Sequence, residues 1–506
     1  MEVFLVHHFL ERSASCYPDK IAVIHGTKQI TYHQLNAYAT KLAGFLMQQG
    51  VKKGDRVAIL LENSINYIIS YYAILKMGGI EVSMNINAGD DMLSTILQDS
   101  QVAAVITTNS KIKFLDTVLP QLTECHLKIS ENETDKWSPF YLDHIFRQDF
   151  PGIDFPQMID LEIASIVYTS GSTGKPRGAV LTHLNFVQNT RSIVTYLRLN
   201  EKDRILVVLP FFYIYGKSLL NTHFFAGGSV VIENRFAFPN LAVKALKINE
   251  ITGFAGVPST FAILLNRSLF RKEQFPHLRY ITQAGGAMAP VLTQQLMQVL
   301  PDKQIFIMYG ATEAAARLAC SDPEILPRKI GSIGKAIPNV ELKIVNNQNE
   351  ECQPGEVGEI VARGSNIMSH YWNAVAETRN VLYSEEYHTG DLARMDEEGY
   401  LFIVGRKKDM IKSGAHRISA QEIEAVLMQH HEVLEVAVIG EPDEILGEAI
   451  KAFVVMKNGD IGDSRNLKRY CATKLASFKI PRDFVIVKAL PKNAAGKIMK
   501  EELRNK

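Results

Sequence analysis

Short apolar runs closed by glycine, proline, serine or threonine recur along the first two thirds of the chain, and stretches with apolar positions at helical spacing lie between them. IAVIHG from Ile21 predicts a strand, YHQLNAYATKLAGFLMQQGV from Tyr32 a helix, DRVAILL from Asp55 a strand, and the stretch through IISYY up to Gly78 and Gly79 another helix. Further strands are predicted at AAVITT (103–108), ASIVYTS (164–170), RILVVLP (204–210), GGSVVIE (227–233), ITGFAGV (251–257), YITQAGG (280–286) and QIFIMYG (304–310). Strands alternating with helices predict an α/β fold, parallel sheets covered by helices, with loops delivered to one sheet edge.

After about residue 325 the pattern changes. NVELKIVNNQNEECQPGEVGEIVARG (339–364) reads as short strands broken by turn residues, a small antiparallel, β-barrel-like unit. The charged, glycine-bounded segment GRKKDMIKSG (405–414) predicts a hinge near Lys408. Beyond it, QEIEAVLMQH predicts a helix, and VLEVAVIG and IKAFVVM predict strands, so a separate small α+β unit is expected there. The expected division is 1–405 for the large N-terminal domain and 406–506 for the C-terminal domain.

Composition narrows the function classes. With 506 residues, 46% hydrophobic and 22% charged, several globular domains are expected. Lys plus Arg at 55 against Asp plus Glu at 54 leaves a formal charge of +1, which supplies no general field for polyanions, so nucleic acid is not an expected partner. Cys16, Cys125, Cys320, Cys352 and Cys471 have no paired spacing, which fits neither a disulfide framework nor a zinc site. The opening segment shows no basic-then-apolar leader, and no apolar run is long enough for a membrane span. A cytoplasmic protein is expected.

Four segments carry candidate chemistry. Tyr168-Thr-Ser-Gly-Ser-Thr-Gly-Lys-Pro-Arg-Gly178 follows an apolar run and offers glycines, hydroxyls and cations able to wrap a polyphosphate. Pro176 after Gly174-Lys175 removes the hydroxyl that a Walker-type loop places on its metal. Met308-Tyr-Gly-Ala-Thr-Glu313 offers an aromatic face for a base and hard oxygens for Mg²⁺, although alone it also reads as a strand end and turn. In Tyr387-His-Thr-Gly-Asp391-Leu an acceptor-only carboxylate can take both hydroxyls of a ribose, although Thr-Gly-Asp is also a common turn. Pro491-Lys-Asn-Ala-Ala-Gly-Lys497 ends on a cation able to bridge an attacking carboxylate and a phosphate, although a basic tail is often only solvated.

Together, and in this order, these segments resemble the acyl- and aryl-CoA synthetase, adenylation-domain and luciferase superfamily over nearly the whole chain. The resemblance implies activation of a small carboxylic acid by ATP to an acyl-adenylate with release of pyrophosphate. Transfer to the thiol of coenzyme A or of a holo acyl carrier protein follows. It implies Lys497 as the adenylation lysine, with Thr312 on the α-phosphate and Glu313 on magnesium. Thr169, Ser170, Gly171, Ser172, Thr173, Gly174 and Lys175 are the implied phosphate loop, and Tyr309 the adenine platform. Asp391 is the implied ribose ligand and Arg406 a ribose or phosphate contact, with Gly286, Ala287, Gly310 and Ile403 also beside the nucleotide. Lys408 is the implied pivot. Rotation about it withdraws Lys497 and brings up 411–418, where Ala415 stands in a position that often holds glycine in the superfamily, so both thiol acceptors stay open.

The implied acid pocket is Tyr213, Gly216, Phe254, Val257, Gly285, Gly286, Ala287 and Ala311, mostly small or apolar. Tyr213 stands where acyl-CoA members commonly have histidine. No nearby aspartate is present to hold an ammonium, which weighs against an α-amino acid. Loading of an amino or imino acid onto a carrier protein stays open as an alternative. So does luciferase-like oxidation of the adenylate, against which the ending Leu-Arg-Asn-Lys counts. Lys217, His223 and Arg317 are polar residues near the same loops, read as surface or supporting groups. His183 reads as a cap or orienting group for the phosphate loop, and His7-His8 as lacking a partner at metal-ligand spacing.

Overall fold

The computed structural model describes residues 2–133, 137–170, 176–414, 416–457, 464–493, 496 and 498–504. Among the described residues the alternating strands divide between two large sheets. One runs in the order Lys335–Ala336, Ala319–Cys320, Gln304–Tyr309, Tyr280–Gln283, Gly253–Gly256, Arg204–Val207, Ser229–Ile232, Ile21–His25 and Lys28–Thr31. The other runs in the order His370–Tyr371, Pro176–Thr182, Ile163–Ser170, Ile80–Ser83, Arg56–Leu60, Ala104–Thr107 and Leu127–Ser130. The central pairings of both are parallel, as the crossover helices require, while hairpins such as Ile163–Ser170 with Pro176–Thr182 close their margins antiparallel.

The helices Ile65–Lys76 and Ile214–Ala226 are buried on every side, and their residues share one hydrophobic core with both sheets. A helix apolar all round has no solvent face and belongs between layers. Two neighbouring helices are started by reciprocal capping, Thr31 with Gln34 before Tyr32–Gln48 and Thr182 with Asn185 before His183–Leu197.

The expected antiparallel unit is present as a half-barrel of Val340–Val345, Val357–Gly364, Glu386–Met395, Leu382–Tyr383 and Leu401–Arg406. Beyond it, Met410–Ser413, His416–Ser419, Val433–Asp443, Gly447–Met456 and Asp483–Ile486 form a further sheet, with the helices Ala420–Leu427 and Ser464–Ala472 packed on it. Two small apolar clusters hold this C-terminal part. The α/β class expected from the hydrophobic pattern is the fold observed.

Candidate active site

The phosphate-loop segment stands on a hairpin in which Thr169 pairs with Arg177 and Ser170 with Pro176. Gly171, Ser172, Thr173, Gly174 and Lys175, all expected on phosphate, lie outside the described residues, as does the side chain of Ser170. Below them the Tyr168 hydroxyl donates to Asp99 Oδ2 at 2.5 Å. Burial, then Asp99, raises its pKa. This phenol is therefore a root anchor of the hairpin and is not turned toward its tip. Gly178 is required beside it, since a Cβ there would meet Ile166 at 2.6 Å.

Asp391 sits where two strands of the half-barrel pair, directly across from Arg406. The residue is 7% exposed, and its carboxylate accepts from Tyr309 Oη at 2.7 Å and from Arg406 Nε at 2.7 Å. Asp391 raises the Arg406 pKa, and burial followed by Asp391 raises that of the Tyr309 phenol. The Gly390 amide donates to Glu359 Oε1 at 2.9 Å, and Lys407 Nζ lies 3.4 Å from Glu359 Oε2. The structure thus joins Asp391 and Arg406, on adjacent strands, to Tyr309, 82 residues before Asp391. Two carboxylate oxygens offer about four acceptor positions, so Asp391 keeps capacity for sugar hydroxyls beside these two donors.

Glu313 is held at both ends. Its backbone carbonyl accepts from Met368 N at 2.7 Å, and Oε1 accepts from the Tyr371 hydroxyl at 2.6 Å. Thr312 next to it is buried. Beyond Ala314 two residues are strained, Ala315 at φ 50° and Ala316 at φ 119°, a region that side-chain-bearing residues rarely adopt. Gly310 lies against this turn, where a Cβ would fall 1.9 Å from the Ala316 carbonyl oxygen, so its missing side chain serves backbone packing.

Of the expected acid-pocket residues, Tyr213, Val257 and Gly285 converge. A Cβ on Gly285, itself at φ 83°, would lie 3.1 Å from Val257 Cγ1 and 3.8 Å from the Tyr213 hydroxyl. Tyr213 is half-buried, and desolvation raises its pKa. The charges of Arg317, Glu313 and Arg406 all act on it. Ala311 is half-buried, and Gly286 and Ala287 are exposed beside Pro258 and Met288. Two residues serve other ends. Gly216 faces the Pro210 carbonyl, 2.1 Å from where a Cβ would lie, and Phe254 packs edge-on to Phe261 in the core on the outer side of its sheet. Ile403 is half-buried against the half-barrel core, and Lys408 is exposed in the single turn Lys407–Asp409 between two strands.

Lys497 lies outside the described residues, but its neighbour Gly496 is placed. The Gly496 carbonyl accepts from Ser259 Oγ at 3.1 Å, and a Cβ on it would approach Val257 Cγ2 to 3.0 Å. The other lysines of this segment are committed to their own part of the chain, Lys492 to Glu435 and Lys500 to Glu424.

Several polar residues read as peripheral are buried. Lys217 and Glu81 form an ion pair with both side chains 0% exposed, and Ser165 bonds to both. His223 donates from Nδ1 to Leu219 O at 2.8 Å and accepts from the Tyr280 hydroxyl at 3.0 Å, and burial lowers its pKa to about 4. His183 accepts from Val6 N at 3.1 Å, and burial lowers its pKa to about 3, a structural role. The fold adds Glu11 to His7 and His8, with ligand atoms within 4.8 Å of one another, but Lys76 is ion-paired to that same carboxylate. The cysteines are all unpaired, and among the described residues no helix is long and apolar enough to cross a membrane.

A hairpin of phosphate-loop composition, a buried carboxylate flanked by a tyrosine and an arginine, and a lysine-bearing tail seated by the pocket define an adenylate-forming enzyme. The chain belongs to the AMP-binding enzyme family, which matches residues 10–372, and the AMP-binding enzyme C-terminal domain matches residues 422–497. It is an AMP-forming ligase. It is 31% identical over 523 residues to a long-chain-fatty-acid–CoA ligase of Bacillus subtilis (strain 168), covering 98% of this chain and 93% of that one. It is 33% identical over 498 residues to a feruloyl-CoA synthase of Amycolatopsis sp, covering 98% and 97%. Its fold is similar to that of the anthranilate CoA ligase AuaEII in complex with anthranoyl-AMP, with a TM-score of 0.93, 26% identity and coverage of 100% and 98%.

Proposed function

We propose that the chain joins a carboxylic acid of small or moderate size to a pantetheine thiol in two steps, using ATP with Mg²⁺, in the cytoplasm. Residues 1–405 hold the nucleotide and the acid, and residues 406–506 turn about Lys408. The donors suit these ligands. Asp391 is an acceptor-only carboxylate for a diol, and Thr312 and Glu313 supply hard oxygens near the phosphate hairpin. Magnesium, when bound, neutralises charge on the phosphate oxygens.

In the first step a carboxylate oxygen attacks the α-phosphorus and the bond to pyrophosphate breaks, leaving an acyl-adenylate. Both reactants are anionic, so the barrier falls when a cation lies between them, and Lys497 supplies it. In the second step the thiol sulfur attacks the acyl carbon, its proton passes to solvent, and AMP departs. Arg406 and Asp391 hold the sugar through both steps, and Tyr309 carries the base.

The observation that carries this reading is the seat of Gly496 on Ser259, beside Val257, Gly285 and Tyr213, one residue before the candidate lysine. Coenzyme A is the favoured acceptor, because the relatives named above are CoA ligases and a CoA synthase. The test is pyrophosphate release across a panel of acids, followed by mass spectrometry of products with coenzyme A or a holo carrier protein. Acid-dependent release and an acyl-CoA product are expected. Release that ignores the acid, or none with any acid, overturns the reading.

A further inference from the structure

Among the described residues the buried cations Lys217 and Lys76 are neutralised by carboxylates, and Arg317 near the acid pocket is not. Lys217 is paired with Glu81 and Lys76 with Glu11, while the half-buried Lys20 and Arg279 meet backbone carbonyls and Asp203 respectively. Arg317 is 2% exposed, yet among the described residues no carboxylate lies within ion-pair distance of it. Its partners are neutral. Nε reaches Met308 Sδ at 3.4 Å, Nη1 donates to the Ala316 carbonyl at 3.0 Å, and the guanidinium lies 4.0 Å over the Tyr215 ring. An arginine does not discharge by losing its proton, so a full positive charge stays in the interior, where an unpaired ion is costly.

The place of this charge gives it meaning. Arg317 follows the strained Ala315–Ala316 turn, packs its Cα beneath Gly310, and stacks on Tyr215, two residues after Tyr213 on the helix that opens the acid pocket. Its field acts on the Tyr213 phenol, which borders Gly285 and Val257. Strain held at such a point is retained where it positions a working group.

We infer that the acid activated by this enzyme carries a second anionic group, a carboxylate in the simplest case, at the end remote from the adenylated one, and that Arg317 selects for it. This rests on the acid-activation reading above and names the substrate class within it. The reacting carboxylate meets the α-phosphorus, while the distal carboxylate supplies the counter-charge that the protein leaves out.

The test uses the full-length enzyme with ATP, Mg²⁺ and matched pairs of acids, each dicarboxylate set against the monocarboxylate of equal length, aliphatic and aromatic. For the wild type, kcat/KM for pyrophosphate release is expected to favour the dicarboxylate of at least one pair by about tenfold or more, the scale of one hydrogen-bonded charge contact. Arg317→Met is expected to collapse that ratio toward one, chiefly through KM, and Arg317→Lys to restore part of it. A wild type that favours the monocarboxylate of every pair overturns the inference, whether or not the variants fold. So does an Arg317→Met that lowers both members of a pair equally, which marks a core pin. No pyrophosphate release with any acid instead overturns the acid-activation reading itself, and this inference with it.

Discussion

The sandwich of the two large sheets, which bears Tyr309 and the phosphate hairpin, and the C-terminal part bearing the lysine motif are each held together by different means. In the sandwich, the buried helix Ile214–Ala226 is tied to the second sheet by Lys217 with Glu81 and Ser165, wholly out of water. In the C-terminal part the apolar clusters are small, and the ion pairs Lys479–Glu422, Arg482–Asp443 and Lys500–Glu424 lie at its rim. It meets the rest through contacts such as Ser419 Oγ with the Val404 carbonyl and Ser259 Oγ with the Gly496 carbonyl. Rim pairs are solvated whether made or broken and contribute about 0–1 kcal/mol each, whereas a buried pair cannot be opened without stranding a charge. The difference suits the proposed turn of the C-terminal part about Lys408 against a fixed body.

The largest effect that would break this contrast lies in the sandwich. Lys217→Met strands the Glu81 carboxylate and is expected to cost about 3–5 kcal/mol of unfolding free energy, read by denaturant titration. A loss below about 1 kcal/mol would mean that the layers are not tied there. In the C-terminal part the expected loss is in rate alone. Lys497→Ala should slow acid-dependent pyrophosphate release by about 10²–10³-fold, on the scale of one oriented charge at a transition state. Thioester formation from presynthesised adenylate should be largely spared, and equal loss of both steps would refute the division of labour.

Two smaller effects sharpen the boundary between the bodies. Asp391→Ala removes the acceptor flanked by Tyr309 and Arg406, and should raise the KM for ATP by about 1.5–3 kcal/mol, roughly tenfold or more, in initial-rate measurements. An unchanged KM would take Asp391 off the sugar. Tyr371→Phe frees one oxygen of Glu313 at a cost of about 1 kcal/mol, seen as a roughly fivefold weaker binding of Mg·ATP in calorimetry with little change in melting temperature. Unchanged Mg·ATP affinity would leave Tyr371 as packing only.

The strands and most helices were legible because each apolar run ends at a glycine, proline or hydroxyl residue that also ends the element, as at Gly310 after Gln304–Tyr309. Which strand joins which sheet was not, since the period of the pattern is identical in both. Among site residues, Asp391 and Tyr309 stood in compact motifs. Tyr371 did not, because it lies 58 residues from Glu313 in a segment of ordinary composition. Lys217 read as a surface residue for the same reason, its partner being 136 residues away. Phe254 falls in the implied pocket by neighbourhood in the chain, and the pleat turns its side chain to Phe261, as it turns Tyr168, at the head of the phosphate segment, to Asp99.

The crossing of Gly310 over the Ala316 carbonyl sets a rule for redesign. One methyl group would push apart the stretch that carries Thr312 and Glu313 and the turn that aims Arg317. Libraries meant to alter acid preference therefore have room at Gly286, where the nearest neighbour stands 3.4 Å from a Cβ, and none at Gly310 or at Gly285, which is held at φ 83° against Val257.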